Sequence, residues 1–484
     1  MRQRWGAGKN LDSRARPPTF QCSRKRRSRS PNKHMARLPE YAVLDLKLER
    51  LPSEALLNLQ AERLRAMVRY VYDATPFWRQ KFEAINLVPD DIEGLADLPR
   101  IPFVTKQELQ DDQAANPPFG SCSASPPSTW TRFMATSGTT GRPLRRVFSA
   151  RDWQTVLDRF QRNPVLGPGD TAVILGPIDG LMGPMAGAEG LARSGALVVL
   201  AGLYPSRTKV ELIRELRPTA LSGSASYLLH LANVATEMGV DLTAQGIKGV
   251  LSVGEPGAAV PATRQRLAER YGAFVNDGYG LTELFPLGGG CLHSTALHVA
   301  SDLVITEIVD PESGQPLPPG EPGEIVYTNL IGDTQPLLRY RTRDIGRLET
   351  DAACACGFTG ARLALAIEGR VDDMIWFRGA NLFPSAIEAV VRGFAELGDE
   401  YRVVVAGDEK LPTLTVEVEA ADDGEGLAGR LIQALQAAVG VGASVEILPP
   451  STLPQAEANQ KARRVVDRRK SPPPHPSPIK GEGE

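Results

Sequence analysis

TAVILGPIDGLMGPMAGAEGLARSGALVVLAG, residues 171–202, decides the fold. It opens on a short apolar run, TAVILG, and closes on another, ALVVLAG. GAEGLARSG between them has the make-up of a helix. Two strand-length apolar runs joined through a helix form a βαβ unit, whose strands are parallel. The pattern continues downstream. ALSGS, GVLSVG and AFVNDG read as further strands, and TKVELIRELRP, SYLLHLANVATEMGV and ATRQRLAERYG as the helices among them. Uniformly apolar strands belong to a sheet covered on both faces. Ligands of such sheets sit beyond the carboxyl ends of the strands. The strand exits Gly176-Pro177, Gly223-Ser224, Gly254-Glu255-Pro256-Gly257 and Gly278-Tyr279-Gly280 all fall there.

Upstream, LPSEALLNLQAERLRAMVRYVYDATPFW places Leu57, Leu64, Val68 and Val71 on one helical face, with Ser53 as the cap and Thr75-Pro76 as the end. Beyond about Thr295, hairpins replace helices, and LVITEIVDPESGQPLPPGEPGEIVYTNL holds two strands around a Pro/Gly turn. From Asp372 a smaller β/α segment follows, with helices PSAIEAVVRGF and LAGRLIQALQAAV and strands YRVVVAG and LTVEVEA. The first 38 residues carry twelve basic residues and one acid, too little apolar matter to build a core. Residues 469–484 are similarly Pro-rich and polar. The domains expected are 1–38 and 469–484 as disordered tails, 39–371 as the large domain and 372–468 as the small one. Met35 is an alternative start.

Acids and bases nearly cancel across the 484 residues, 57 against 55, so no global charge field points to nucleic acid or an acidic membrane. No apolar run is long enough to span a bilayer. KRRSRS in the basic tail reads as a solvated charge run or a nucleic-acid patch. The start lacks the apolar core of a secretory signal, and five sparse cysteines do not make a disulfide framework. A reducing, cytoplasmic setting is expected.

Five stretches carry candidate chemistry. WTRFMAT and PLRRVFSA read as strands around a loop, Thr136-Ser137-Gly138-Thr139-Thr140-Gly141. Backbone N–H groups and hydroxyls in such a loop can donate to phosphate oxygens. It is not a Walker loop, because the GK[ST] ending is missing and a strand follows. On its own it reads equally as a polar hairpin turn. DGYGLTE, from Asp277 to Glu283, leaves a strand with an aromatic ring, a hydroxyl at Thr282 and a carboxylate. RYRTRDIG sets Asp344 among arginines. GRVDDMIWFRGANLFPSAIE, with Arg370 and Asp372, lies at the domain boundary. QKARRVVD offers Lys461.

In this order and spacing the five stretches resemble the adenylate-forming acyl- and aryl-CoA ligases, and specifically the phenylacetate–CoA ligase branch. RLRAMVRYVYDATPFW, LPRIPFVTKQELQDD, NPPFG, GEPG and KARRVVD look like that branch. The resemblance spans about residues 37–467. It implies an α/β fold: a large N-terminal domain of parallel βαβ sheets with a small β-barrel-like segment, then a small mobile α+β C-terminal domain. It implies ATP-dependent activation of a carboxylic acid, aryl or otherwise apolar, as an acyl-adenylate, followed by transfer to CoA. It also assigns roles. Residues 136–141 would hold the ATP phosphates, and Glu283 would ligate Mg²⁺. Tyr279 would stack on adenine beside Gly254-Glu255-Pro256, with Asp277 on the same strand. Asp344 would hold the ribose, and Arg370 would lie near the phosphates or ribose. Lys461, Arg370 and Thr282 would form the catalytic set, with Lys461 bridging the substrate carboxylate and the α-phosphate. Asp372 would be the hinge.

Two positions depart from common patterns. Leu144 follows Pro143 where many relatives have lysine, and Gln460 stands where the branch usually has glycine. The cysteines form a separate set. Cys291, Cys354 and Cys356 with an imidazole would complete a tetrahedral zinc site, or they are three reduced, buried thiols. Several members of the branch resemble this pattern, which implies His298 as the fourth ligand rather than His293. Ile178, Met182 and Tyr227 follow strand ends, where they line an apolar pocket or pack a core. The partners expected are a small carboxylic acid, ATP and CoA, with a homodimer left open and neither membrane nor nucleic acid. Two rival functions stand beside this one. An amine or carrier-protein thiol could be the acceptor, although no carrier domain is visible. Nucleic-acid binding through the basic tail is the other, although the folded region has no basic stripe.

Overall fold

The computed structural model describes residues 46–136, 142–162, 166–255, 257–350, 353–377, 380–407, 412–421, 426–455 and 464–469. Both expected tails lie outside them, apart from Arg469, which donates to the Trp376 carbonyl at 2.8 Å.

An eight-stranded sheet forms the centre. Its order is Arg362–Leu363, Ser294–Val299, Pro286–Cys291, Phe274–Gly280, Gly249–Val253, Ala220–Gly223, Thr171–Ile174, Leu197–Leu200. The last five are parallel, as the βαβ pattern requires. The first three run antiparallel. PLGGGC was not expected to be a strand, because glycine is a poor strand former. Packing explains it: a Cβ on Gly288 would meet the His298 carbonyl oxygen at 2.5 Å. Only glycine lets the neighbouring strand approach there.

The helices follow their sequence signals. Ala225–Glu237 is capped by Ser224, whose hydroxyl accepts from the Tyr227 N–H. Pro261–Tyr271 begins on proline and ends at Gly272, φ 60°. The N-terminal helix, Ser53–Ala74, differs from expectation in two ways. Ser53 is its first helical residue and makes no cap; Thr75 instead caps the next helix, Pro76–Glu83, accepting from Trp78 N–H at 3.2 Å. Leu64, Val68 and Val71 are buried, but Leu57 is 52 % exposed. The buried stripe runs through Leu56, Gln60 and Arg63 instead. Gln60 and Arg63 reach the carbonyls of Ser301 and Asp302 at 2.7 and 2.5 Å, and Arg162 grips the Asp302 carboxylate. Polar anchoring therefore sets the rotation of this helix.

The hairpin-rich segment after Thr295 includes an antiparallel sheet, in the order Val304–Val309, Gly323–Asn329, Tyr340–Gly346, Gly369–Arg370. A separate C-terminal core then begins at Ile375. Its sheet runs Ser444–Leu448, Pro412–Ala420, Leu397–Gly407, Val465–Asp467, packed with helices Pro384–Arg392 and Leu427–Val439. Among the described residues no helix is long and apolar enough to cross a membrane.

Candidate active site

The two strands expected around residue 136 are present. Trp130–Ala135 pairs antiparallel with Arg145–Ser149. Thr136 closes the neck: its N–H donates to the Leu144 carbonyl, and its hydroxyl accepts from Leu144 N–H, each at 3.0 Å. Ser137, Gly138, Thr139, Thr140 and Gly141 lie outside the described residues. The helix Lys106–Ala115 holds the neck from below. The Gln113 amide donates to the Arg145 carbonyl at 2.6 Å and accepts from its N–H at 3.1 Å.

That helix also reaches the second stretch. Lys106 Nζ lies 3.4 Å from the buried Glu283 carboxylate. Tyr340 hydrogen-bonds Glu283 from the other side; burial first, then this carboxylate, holds its phenol well above the ordinary range. Thr282 sits in the same turn, and Arg146, buried with its Nε and Nη1 unpartnered, adds a second positive charge near Glu283. Lys106 and Arg146 were missed in the sequence. Lys106 lies in LPRIPFVTKQELQDD and Arg146 in PLRRVFSA, but nothing within either stretch ties it to Glu283.

Asp344 is the hub of the third stretch. It is 3 % exposed. Its Oδ2 accepts from the Tyr279 hydroxyl at 2.7 Å, and its Oδ1 from Arg370 Nη1 at 2.6 Å. Register makes this possible, because Asp344 and Arg370 are direct partners across two strands. Burial alone would lower the Arg370 pKa, but Asp344, Asp372 and Asp373 raise it above its usual value. Tyr279 leans on Tyr327, ring centroids 6.3 Å apart.

Val253 pairs with Gly278, so Gly254-Glu255 and Tyr279 leave the sheet side by side. Gly254 turns at φ 91°, a conformation that favours glycine. Glu255 accepts from Ser226 N–H at 2.6 Å, and Pro256 lies outside the described residues. Asp277 is buried, which pushes its carboxyl up to about 7 against the opposing charge of Arg264. Asp372 is exposed and paired with Arg343 and Arg370 in the short turn Val371–Asp373, between the large body and the C-terminal core. Lys461 and Gln460 lie outside the described residues.

Met182 and Tyr227 are buried in two different cores. A cavity of about 720 Å³ lies away from the strand exits. Lined by Arg264, Asn276, His293 and Thr295 among others, it opens beside the start of Phe274–Gly280.

The cysteine set is brought together. The ligand atoms of Cys291, His298, Cys354 and Cys356 all lie within 4.8 Å of one another. Cys291 and Cys354 sulfurs are 3.7 Å apart, too far for a disulfide bond of about 2.05 Å. Cys356 Sγ is 4.0 Å from His298 Nδ1. His293 is not in the cluster.

Family models match in tandem: AMP-binding enzyme over residues 57–329 and AMP-binding enzyme C-terminal domain over residues 379–469. The chain belongs to the AMP-binding enzymes. Within this family it falls in the phenylacetate–CoA ligase branch. It is 34 % identical to the phenylacetate-coenzyme A ligase of Aromatoleum evansii over 424 residues, 84 % of this chain and 93 % of that one. It is 33 % identical to the enzyme of the same name from Thermus thermophilus, over 84 % and 95 %. Among AMP-binding enzymes of known structure, 2-hydroxyisobutyryl-CoA ligase in the postadenylation state superposes with a TM-score of 0.82 at 30 % identity, covering 90 % of this chain and 94 % of that one. The same ligase in the thioesterification state gives 0.66 over 89 % and 95 %.

Proposed function

We propose that this AMP-binding enzyme joins a carboxylic acid to coenzyme A at the expense of ATP. The carrying observation is the similarity to phenylacetate–CoA ligases, which runs through both the large body and the C-terminal core. In the first step a carboxylate oxygen attacks the α-phosphorus, the bond to the bridging oxygen breaks, and pyrophosphate leaves. In the second, the CoA sulfur attacks the acyl carbon, loses its proton, and AMP departs with the C–O electron pair.

The residues suit these steps. The loop above the Thr136–Leu144 neck holds the phosphates. Tyr279, pinned by Asp344, offers a ring face beside Gly254-Glu255, where adenine lies. Asp344 accepts from the ribose hydroxyls, and Arg370 holds its carboxylate in place. Lys461 bridges the substrate carboxylate and the α-phosphate. Glu283 fits a magnesium site: a single buried carboxylate near the phosphate loop matches an ion that binds through one or two carboxylates plus substrate phosphates. Bound there, Mg²⁺ supplies charge neutralisation for the phosphates. Lys106 and Arg146 set positive charge beside Glu283. The C-terminal body moves on the turn at Asp372, removing Lys461 before the thiol arrives. Its placement here follows the postadenylation arrangement of 2-hydroxyisobutyryl-CoA ligase, as the two TM-scores indicate.

The acid is aryl or otherwise apolar, in keeping with the phenylacetate of the curated relatives' names. Pyrophosphate release over a panel of phenylacetate, benzoate, 2-hydroxyisobutyrate and acetate tests this, and AMP release with and without CoA tests the acceptor. Phenylacetate or benzoate should lead, and steady AMP release should need CoA. Turnover with an amine in place of CoA would overturn the reading.

The cysteine cluster fits zinc. Metal–sulfur bonds of about 2.3 Å in a tetrahedron place sulfurs about 3.8 Å apart, close to the separation of Cys291 and Cys354. One zinc per chain would tie the hairpin at Cys291 to the turn at Cys354, where Gly357 takes φ 90°. The cluster shares no residue with the Asp344 hub. Elemental analysis should therefore find about one zinc per chain, and Cys354→Ser should lower the melting temperature while leaving ATP affinity nearly unchanged. Zinc-free protein with full stability would contradict this.

A further inference from the structure

Helix Pro261–Tyr271 of the large body lies against helix Pro384–Arg392 of the C-terminal body. One side chain dominates that contact. The Arg266 guanidinium donates to the carbonyls of Arg392 at 3.0 Å, Phe394 at 2.6 Å and Leu397 at 3.3 Å, and to Asp399 Oδ1 at 3.2 Å. All four acceptors belong to the C-terminal body. Asp399, 7 % exposed, also accepts from Asn233 at 3.0 Å and lies 3.7 Å from Arg270, both on the large body. Thr263 donates to Glu388 at 3.1 Å beside them.

We infer that Arg266 is a positioning residue, a latch that holds the C-terminal body in the adenylate-forming orientation. The inference rests on the ligase reading above. Two observations carry it. The described arrangement matches the postadenylation form of the related ligase far better than its thioesterification form at nearly equal coverage. And because every Arg266 acceptor rides on one body, that body cannot turn without breaking all four bonds together. The contact is also separable. These groups are charged or backbone polar, so water satisfies them once they part, whereas an apolar seal would resist opening. A planar guanidinium with five donors suits such a contact; an ammonium with three donors cannot span four acceptors.

The test uses the full chain with Arg266→Ala and Arg266→Lys. Measured half-reactions are ATP–pyrophosphate exchange with the best acid and thioester formation from pre-made acyl-adenylate with CoA. In Arg266→Ala, exchange should fall at least tenfold while thioester formation stays level or rises. Arg266→Lys should recover part of the exchange. Small-angle X-ray scattering should move away from the profile calculated for the arrangement described here, with an unchanged melting temperature. If Arg266→Ala melts early, the lysine variant carries the same comparison. Both half-reactions falling in proportion, or an unchanged ratio with unchanged scattering, would overturn the latch. Failure of the unsubstituted chain to exchange with any acid would instead overturn the ligase reading, and scattering alone would then decide the latch.

Discussion

Lys461→Ala should slow adenylate formation on the order of 10²–10³-fold, about 3–4 kcal/mol, the usual loss when one preorganised electrostatic group is removed. The thioester half should keep most of its rate. The reason is timing. As the carboxylate meets the α-phosphate, negative charge is crowded between them, and an ammonium placed there relieves it. Once the adenylate exists, that ammonium stands in the way of the thiol. ATP–pyrophosphate exchange reads the first half, and pre-made acyl-adenylate with CoA reads the second. A variant equally damaged in both halves would deny Lys461 this role. Gln460 would then be the next residue to change, since a side chain in place of glycine restricts the path of the backbone there.

The second large effect is expected at Asp344. Asp344→Ala removes the acceptor of both the Tyr279 hydroxyl and the Arg370 guanidinium. Breaking a buried pair is severe because the abandoned charge keeps its desolvation penalty. Arg370 is 37 % exposed and so recovers some water. A loss on the order of 3 kcal/mol in stability follows. Asp344→Asn separates folding from binding. It still accepts from Tyr279, so the melting temperature should fall less. ATP affinity should nevertheless drop about 10–100-fold, the loss of one charged hydrogen bond at ~1.5–3 kcal/mol. Calorimetric titration with ATP gives both numbers; full affinity in the asparagine variant would remove Asp344 from the ribose.

What the sequence made legible follows from where its information is local. The parallel strands and their helices were readable because each apolar run and each amphipathic stretch is contiguous, as in TAVILG or TKVELIRELRP. The strand Pro286–Cys291 was not, since PLGGGC has no strand-forming side chains and is shaped by the close approach of its neighbour. Asp344 and Tyr279 were found as separate patterns, yet their hydrogen bond depends on a meeting between two different sheets. Lys106 opens a capped helix far upstream of Glu283, in a stretch that carries the family resemblance but has nothing local to tie the lysine to that carboxylate. Arg266 and Asp399 are the same case: ordinary charged residues until the two bodies are laid together. Leu57 failed the helical-face reading because Gln60 and Arg63, polar by composition, are the groups that face inward.

The strand Val465–Asp467 bears on how the two steps are coupled in time. It forms one edge of the C-terminal sheet, parallel to Leu397–Gly407. Just before it, Arg464 accepts from Val403 N–H at 2.7 Å, donates to the Tyr401 carbonyl at 3.3 Å, and lies over the Tyr401 ring at 4.8 Å. Three residues reach at most about 11 Å, so Lys461 is tethered to this post by a short leash. A lysine on a long free loop could leave the adenylate on its own schedule. On the function proposed above, Lys461 travels as a passenger, and its arrival and departure are set by the vehicle. On that reading the enzyme is a crank with one stroke, and substitutions at the bearing surfaces should retune its cycle time without altering a single atom that handles substrate.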